Sequence, residues 1–181
     1  MSCTGAPNTE KLEFYIIQTA KGDREAFSDL YRATYKSVYG FILSITKDTH
    51  VAQDILHDVY LKVFKHASSY EMRSKPLAWI YTIARNLSLM KMREGKRSYE
   101  NVVSFHNEFS SEDTAQALDR IVLETAINSL SSEDAAIVML HAVAGFKHRQ
   151  IALIMNLSLP AVLSRYSRAL KKLKSIIGKV E

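Results

Sequence analysis

Apolar positions along most of this chain recur at spacings of three and four residues, the repeat of a helix with one buried face, and no stretch sustains the strict alternation of a strand. The clearest case is SLPAVLSRYSRALKKLK, where Val162, Tyr166, Ala169, Leu170, Leu173, Ile176 and Ile177 (the last two just beyond the quoted stretch) form one stripe. The same reading predicts helices over Glu10–Lys21, Asp23–Thr46, His50–Ala67 and Lys75–Glu94. Further on it predicts Ala117–Leu130, Ser132–Ala144, His148–Met155 and Leu159–Ile177. Gly22, Gly95, Gly145 and Gly178 each follow such a pattern, and Pro76 and Pro160 fall near the start of one, as helix ends and first turns favour. The fold class expected is all-α.

One segment breaks the pattern. SYENVVSFHNEFSSEDTA has no sustained period and is rich in Ser, Asn and Glu, the composition of a tether that buries little. The expected organisation is therefore two small helical domains, 1–97 and 118–181, joined by a flexible acidic linker over 98–117. Charge follows the same division: 15 basic against 10 acidic residues up to Arg97, none against 4 in the linker, and 9 against 5 beyond it. Two cationic blocks separated by an anionic one permit a polyanionic partner.

In the C-terminal block, HRQIALIMNLSLPAVLSRY has helix-turn-helix spacing. Ala152 is small enough for close helix approach, and Asn156 is among the few non-glycine residues that accept the left-handed conformation such a turn needs. Ser158 is placed to cap the second helix. Arg165, Arg168 and Lys172 are expected on one face of it, flanked by Lys171 and Lys174. Three readings remain open for that face: a solvated basic surface, a membrane-surface helix, or a helix that enters a DNA major groove with its cations on phosphates.

The N-terminal block carries a comparable juxtaposition. LAWIYTIARNLSLMKMREGKR joins a stripe of Leu77, Ile80, Ile83, Ala84, Leu87 and Met90 to the cations Arg85, Lys91, Arg93, Lys96 and Arg97. Some of these cations answer the helix dipole. Trp79 and Tyr81 sit just inside that helix, behind the polar loop SSYEMRSKP. Aromatics beside cations suit stacking on unpaired bases, and a core anchor is the alternative for Trp79. The preceding helix is expected to bury Ala52, Ile55, Leu56, Val59, Val63 and Phe64, leaving Asp54, His57, Asp58 and Lys62 outward as a solvated or a protein-docking face.

Taken together, GDREAFSDLYRATYKSVYGF, AQDILHDVYLKVF and PLAWIYTIARNLSL resemble region 2 of bacterial RNA polymerase sigma factors of the extracytoplasmic-function (ECF) group in the sigma-70 family. INSLSSEDAAIVMLHAVAGFKHRQIALIMNLSLPAVLSRYSRALKKLK resembles their region 4. The resemblance implies binding to core RNA polymerase through Asp54, His57, Asp58 and Lys62. It implies capture and melting of the minus-ten element by Arg73, Ser74, Trp79, Arg85, Asn86, Lys91, Arg93, Lys96 and Arg97, with Asn86 and the 70–75 loop holding a flipped base of the non-template strand. It implies reading of duplex promoter DNA at the minus-thirty-five element by Ser164, Arg165, Arg168, Lys171 and Lys172. It also implies an anti-sigma factor as partner. The chain departs from the common pattern at His57, Met90, Ser131, Lys147, Gln150, Leu163 and the pair Pro160-Ala161.

A stand-alone helix-turn-helix regulator is the rival. Enzyme chemistry has little to rest on: the six histidines include no i, i+4 pair with a carboxylate suited to a metal, and no phosphate-cradling glycine loop or nucleophile elbow is present. No metal or cofactor is expected. The single cysteine, Cys3, allows no internal disulfide. With no apolar run of signal-peptide or membrane-span length, a cytoplasmic location is expected.

Overall fold

The computed structural model of the chain describes residues 8–71, 75–95 and 128–177, and among these every regular element is helical. The helices are α1 (Thr9–Ala20), α2 (Arg24–Thr46), α3 (Thr49–His66), α4 (Pro76–Gly95), α5 (Ser132–Ala142), α6 (His148–Met155) and α7 (Leu159–Ile177), with a 3-10 turn over Ala67–Ser69 after α3. The expected linker and all but the end of the helix expected over Ala117–Leu130 lie outside the described residues.

Helix starts are set by short polar side chains that satisfy amides lacking a helical partner. Asp23 Oδ1 accepts from the Glu25 and Ala26 amides at 2.9 and 3.1 Å. Asp48 accepts from Val51 at 3.0 Å, and Ser131 Oγ from Asp134 at 3.2 Å. Helix ends use left-handed residues. Asn156 has φ 50° and ψ 49°, as the helix-turn-helix spacing predicts. Lys47 adopts the same region at φ 58° after α2, which nothing in its side chain announces. Its ammonium is partly buried there, and desolvation lowers its pKa to about 8.

The core is continuous across the two halves of the chain. Leu30, Val38, Phe41 and Ile42 of α2 pack with Ile55, Val59 and Val63 of α3 and with Ile80 and Ala84 of α4. The same cluster takes in Ile137 and Leu140 of α5, Phe146, Ile151 and Ile154. Tyr81 lies at the centre, 1% exposed, edge-on to Phe41 on one side and to Phe146 on the other, with centroids 5.1 and 5.3 Å away. Gly40 leaves room for Met139 where α2 packs on α5, since a Cβ there would stand 3.0 Å from Met139 Cε. A smaller cluster of Leu130, Ala135, Val138, Ala169 and Leu173 fixes α7 on α5.

Three expectations about burial are corrected. Phe64 is 42% exposed, because its ring packs sideways on Phe27 at 5.2 Å instead of entering the core. Met90 is 48% exposed on the last turns of α4, and Tyr81 is not an accessible stacking ring. The buried aromatic that periodicity missed on α3 is Tyr60, whose hydroxyl meets Thr34 Oγ1 at 2.6 Å and is thereby satisfied inside the core.

Candidate nucleic-acid interface

Ser158 Oγ accepts from the Ala161 amide at 3.4 Å, a long cap that starts α7 where Pro160 needs no amide partner. Val162, Ala169 and Leu173 bury one side of α7. Pro160, Leu163, Ser164, Ser167, Arg168 and Lys171 are all exposed and follow one another at helical spacing along the opposite side. Arg165 does not belong to that row. Its guanidinium turns back to the start of α5, with Nη2 2.6 Å from Glu133 Oε2 and Nη1 3.3 Å from Asp134 Oδ1. Lys172 is exposed, yet its ammonium donates to the Ser129 carbonyl.

Behind α7, three rings form a layer that periodicity does not reveal. His141 and His148 stack with centroids 4.4 Å apart, and Tyr166 stands edge-on to both at 4.8 and 4.9 Å. His141 Nδ1 lies 2.9 Å from the Phe146 carbonyl, so that nitrogen carries the proton and donates when the ring is neutral. His148 Nε2 is buried without a hydrogen-bond partner. Desolvation, and then the neighbouring His141, hold the His148 pKa below the usual histidine range.

On the N-terminal half, Asn86 and Lys91 are exposed on α4 beside the exposed Arg93. Arg85 is half-buried with its Nε unpaired, and burial lowers its pKa, opposed by Glu133. Arg85 and Arg93 line a cleft of about 340 Å³ whose far wall is Ser132 and Glu133 of α5 and Met155 of α6. Trp79 is neither a simple core anchor nor a free platform. It is half-buried and tilted against Tyr70 at 5.1 Å, and it lines a cavity of about 350 Å³ with Thr82 and Lys75. Leu153 and Ile154 of α6 line its other side. Tyr70 in turn donates to Glu13 Oε1 at 3.0 Å, and burial followed by that bond raises its pKa to about 12. Arg73, Ser74, Lys96 and Arg97 lie outside the described residues.

The outward face of α3 presents Asp54, His57, Asp58 and Lys62, all exposed. Beside it is an aromatic groove of about 310 Å³ lined by Phe27, Tyr31, Leu56, His57, Tyr60 and Leu61. Tyr31 contributes from α2, so a reading of α3 alone could not find it. Its ring stacks on Tyr35 at 5.1 Å and meets Tyr60 edge-on at 4.7 Å.

The Sigma-70 region 2 family model matches residues 30–98, and the Sigma-70 region 4 model matches residues 120–173. The chain belongs to the sigma-70 family, in its ECF group. It is similar to the ECF RNA polymerase sigma factor SigK of Mycobacterium sp. (strain KMS), with 23% identity over 94% of this chain and 92% of SigK. It is also similar to SigM of Bacillus subtilis (strain 168), 26% identical over 83% of this chain and 94% of SigM. CarQ of Myxococcus xanthus is 27% identical over 88% and 94%. The fold matches that of CnrH, solved with the cytosolic domain of CnrY, at a TM-score of 0.69 and 18% identity over 94% of this chain and 99% of CnrH. It matches RpoE of Bartonella quintana, solved with the anti-sigma factor NepR, at 0.69 and 24% identity over 84% and 96%. Of the two functional readings open at the level of residues, the sigma factor stands and the stand-alone regulator does not.

Proposed function

We propose that this sigma factor engages the transcription machinery through three separate surfaces, one on α3, one on α4 and one on α7. Asp54, His57, Asp58 and Lys62, with the aromatic groove beside them, dock on core RNA polymerase. The segment 70–75, including Arg73 and Ser74, holds the non-template strand of the minus-ten element together with Trp79 and Asn86. Arg85, Lys91, Arg93, Lys96 and Arg97 neutralise its phosphates. Ser164, Arg168 and Lys171 of α7 meet duplex DNA at the minus-thirty-five element, with Lys172 at its edge and Arg165 holding α7 on α5. The protein itself catalyses no reaction and acts in the cytoplasm.

The observation that carries this reading is the outward row of α7: a capped helix whose exposed side bears Arg168 and Lys171, while Arg165 is already neutralised by Glu133 and Asp134. A second feature bears on how the surfaces are used. Leu153 and Ile154 line the Trp79 cavity, and α5 faces Arg85 and Arg93. In this arrangement Trp79 and Arg85 border the half that reads the other element, while Asn86, Lys91 and Arg93 stay exposed, so full use of the minus-ten surface requires the halves to part. An anti-sigma factor, the kind of partner with which RpoE was solved, would act on the same equilibrium.

The test is reconstitution. Purified chain added to sigma-free core polymerase is expected to direct transcripts from a defined subset of genomic start sites, and Asn86→Ala to reduce permanganate reactivity of the melted strand more than promoter occupancy. Core polymerase that gains neither complex nor selective transcript would overturn the proposal.

A further inference from the structure

The base-proximal end of α7 is chemically unlike its far end. A helix-turn-helix reading helix meets base edges with its N-terminal turns and phosphates with the remainder. On the outward side of those first turns stand Pro160, Leu163, Ser164 and Ser167, none of them charged; the first outward cation is Arg168. Arg165, which lies within those turns, is withdrawn onto Glu133 and Asp134 and so does not supply a guanidinium to a guanine edge. Leu163 is 47% exposed although α7 already buries Val162, Ala169 and Leu173 against the body of the protein. Leu163 belongs to neither core cluster, and about half of its surface is open to a partner.

We infer that Leu163 is a specificity-determining residue that reads thymine in the upstream promoter element through the thymine 5-methyl group. The inference rests on the sigma-factor reading of α7 given above. In the major groove thymine offers a methyl beside its O4 acceptor, whereas guanine offers two acceptors and cytosine an amino donor. A leucine side chain removes the methyl from water at no polar cost. Set against guanine or cytosine it strips water from polar groups and returns no hydrogen bond, which is unfavourable. Ser164, its exposed neighbour, both donates and accepts, and so accompanies thymine without narrowing the choice itself. Ser167 follows Leu163 by one helical turn, about 6 Å along the axis, and so addresses a different base pair.

The experiment uses the full chain with core RNA polymerase and a promoter library randomised upstream of a fixed minus-ten region. Wild-type holoenzyme is expected to select thymine at one upstream position, and Leu163→Ala, with an unchanged melting midpoint, to lose selection there while keeping it elsewhere. Replacing that thymine by deoxyuridine, which lacks only the methyl, should weaken wild-type binding about fourfold, the effect of one buried methyl-sized group. It should leave Leu163→Ala binding unchanged. Equal wild-type binding to thymine and uracil, or an undiminished thymine preference in Leu163→Ala, would overturn the role of Leu163 and leave the sigma-factor reading intact. Holoenzyme that selects no upstream element would overturn that reading and the inference together.

Discussion

Phe146 stands edge-on to Tyr81, ring planes at 90° and centroids 5.3 Å apart, and this contact joins the two halves of the chain across 65 residues of sequence. Both rings are almost fully buried, so neither half presents its own core to water in this arrangement. Phe146 follows Gly145, whose φ of 72° turns the backbone back beneath α5, where the Phe146 amide donates to the Leu140 carbonyl at 3.0 Å. The seam is thus set by a turn inside the C-terminal half and received by an aromatic of the N-terminal half.

Removing that ring should open the seam. Phe146→Ala is expected to cost about 3 kcal/mol, the lower end for a buried phenylalanine. Urea unfolding gives the stability, and small-angle scattering at low urea should report a larger radius of gyration than wild type. An unchanged radius with lowered stability would mean that the halves stay joined through the remaining contacts of α2 with α5 and of α4 with α6.

The fates of Arg165 and Arg168 separate two cations that sequence spacing treats alike. Arg168→Ala should lower the log–log salt slope of holoenzyme binding by about 0.9, the value of one phosphate contact. Arg165→Ala should leave the slope unchanged and reduce stability by less than about 1 kcal/mol, as expected for a largely surface ion pair. Equal slopes for both variants would place Arg165 at the DNA.

Acid should weaken the C-terminal half. His148 has a pKa lowered from 6.5 in the folded state, so below pH 6.5 the unfolded chain takes up a proton that the folded chain refuses. The contribution of this site to stability is therefore complete above pH 6.5 and declines as pH falls below it, levelling only once the folded histidine also protonates. Melting temperature measured from pH 7.5 down to 5 should show this decline, and His148→Phe, which keeps a ring against His141 and Tyr166, should flatten it.

The cap of α7 is long, and its effect should be correspondingly small. With Ser158 Oγ 3.4 Å from the Ala161 amide, Ser158→Ala is expected to cost about 0.5 kcal/mol, the low end for such substitutions. Ser131→Ala, which removes a cap of 3.2 Å from α5, should cost somewhat more. Chemical denaturation of the two variants side by side checks the order.

Much of this protein is legible from neighbouring residues alone, because helices, caps and turns are set by interactions that span four positions or fewer. The helix-turn-helix over His148–Ile177, the left-handed Asn156 and the outward Asp54, His57, Asp58 and Lys62 are of that kind. What the linear pattern left undecided is which members of an equivalent set are used. Arg165 and Arg168 differ only because Glu133 and Asp134, on another helix, reach one and not the other. Tyr81 and Trp79, two positions apart on α4, differ because Phe41 and Phe146 enclose the first while the second borders a cavity. Local chemistry determined the elements and their polarity. Their mutual packing, made of contacts between residues far apart in the chain, decided which charges and rings remain available to a partner.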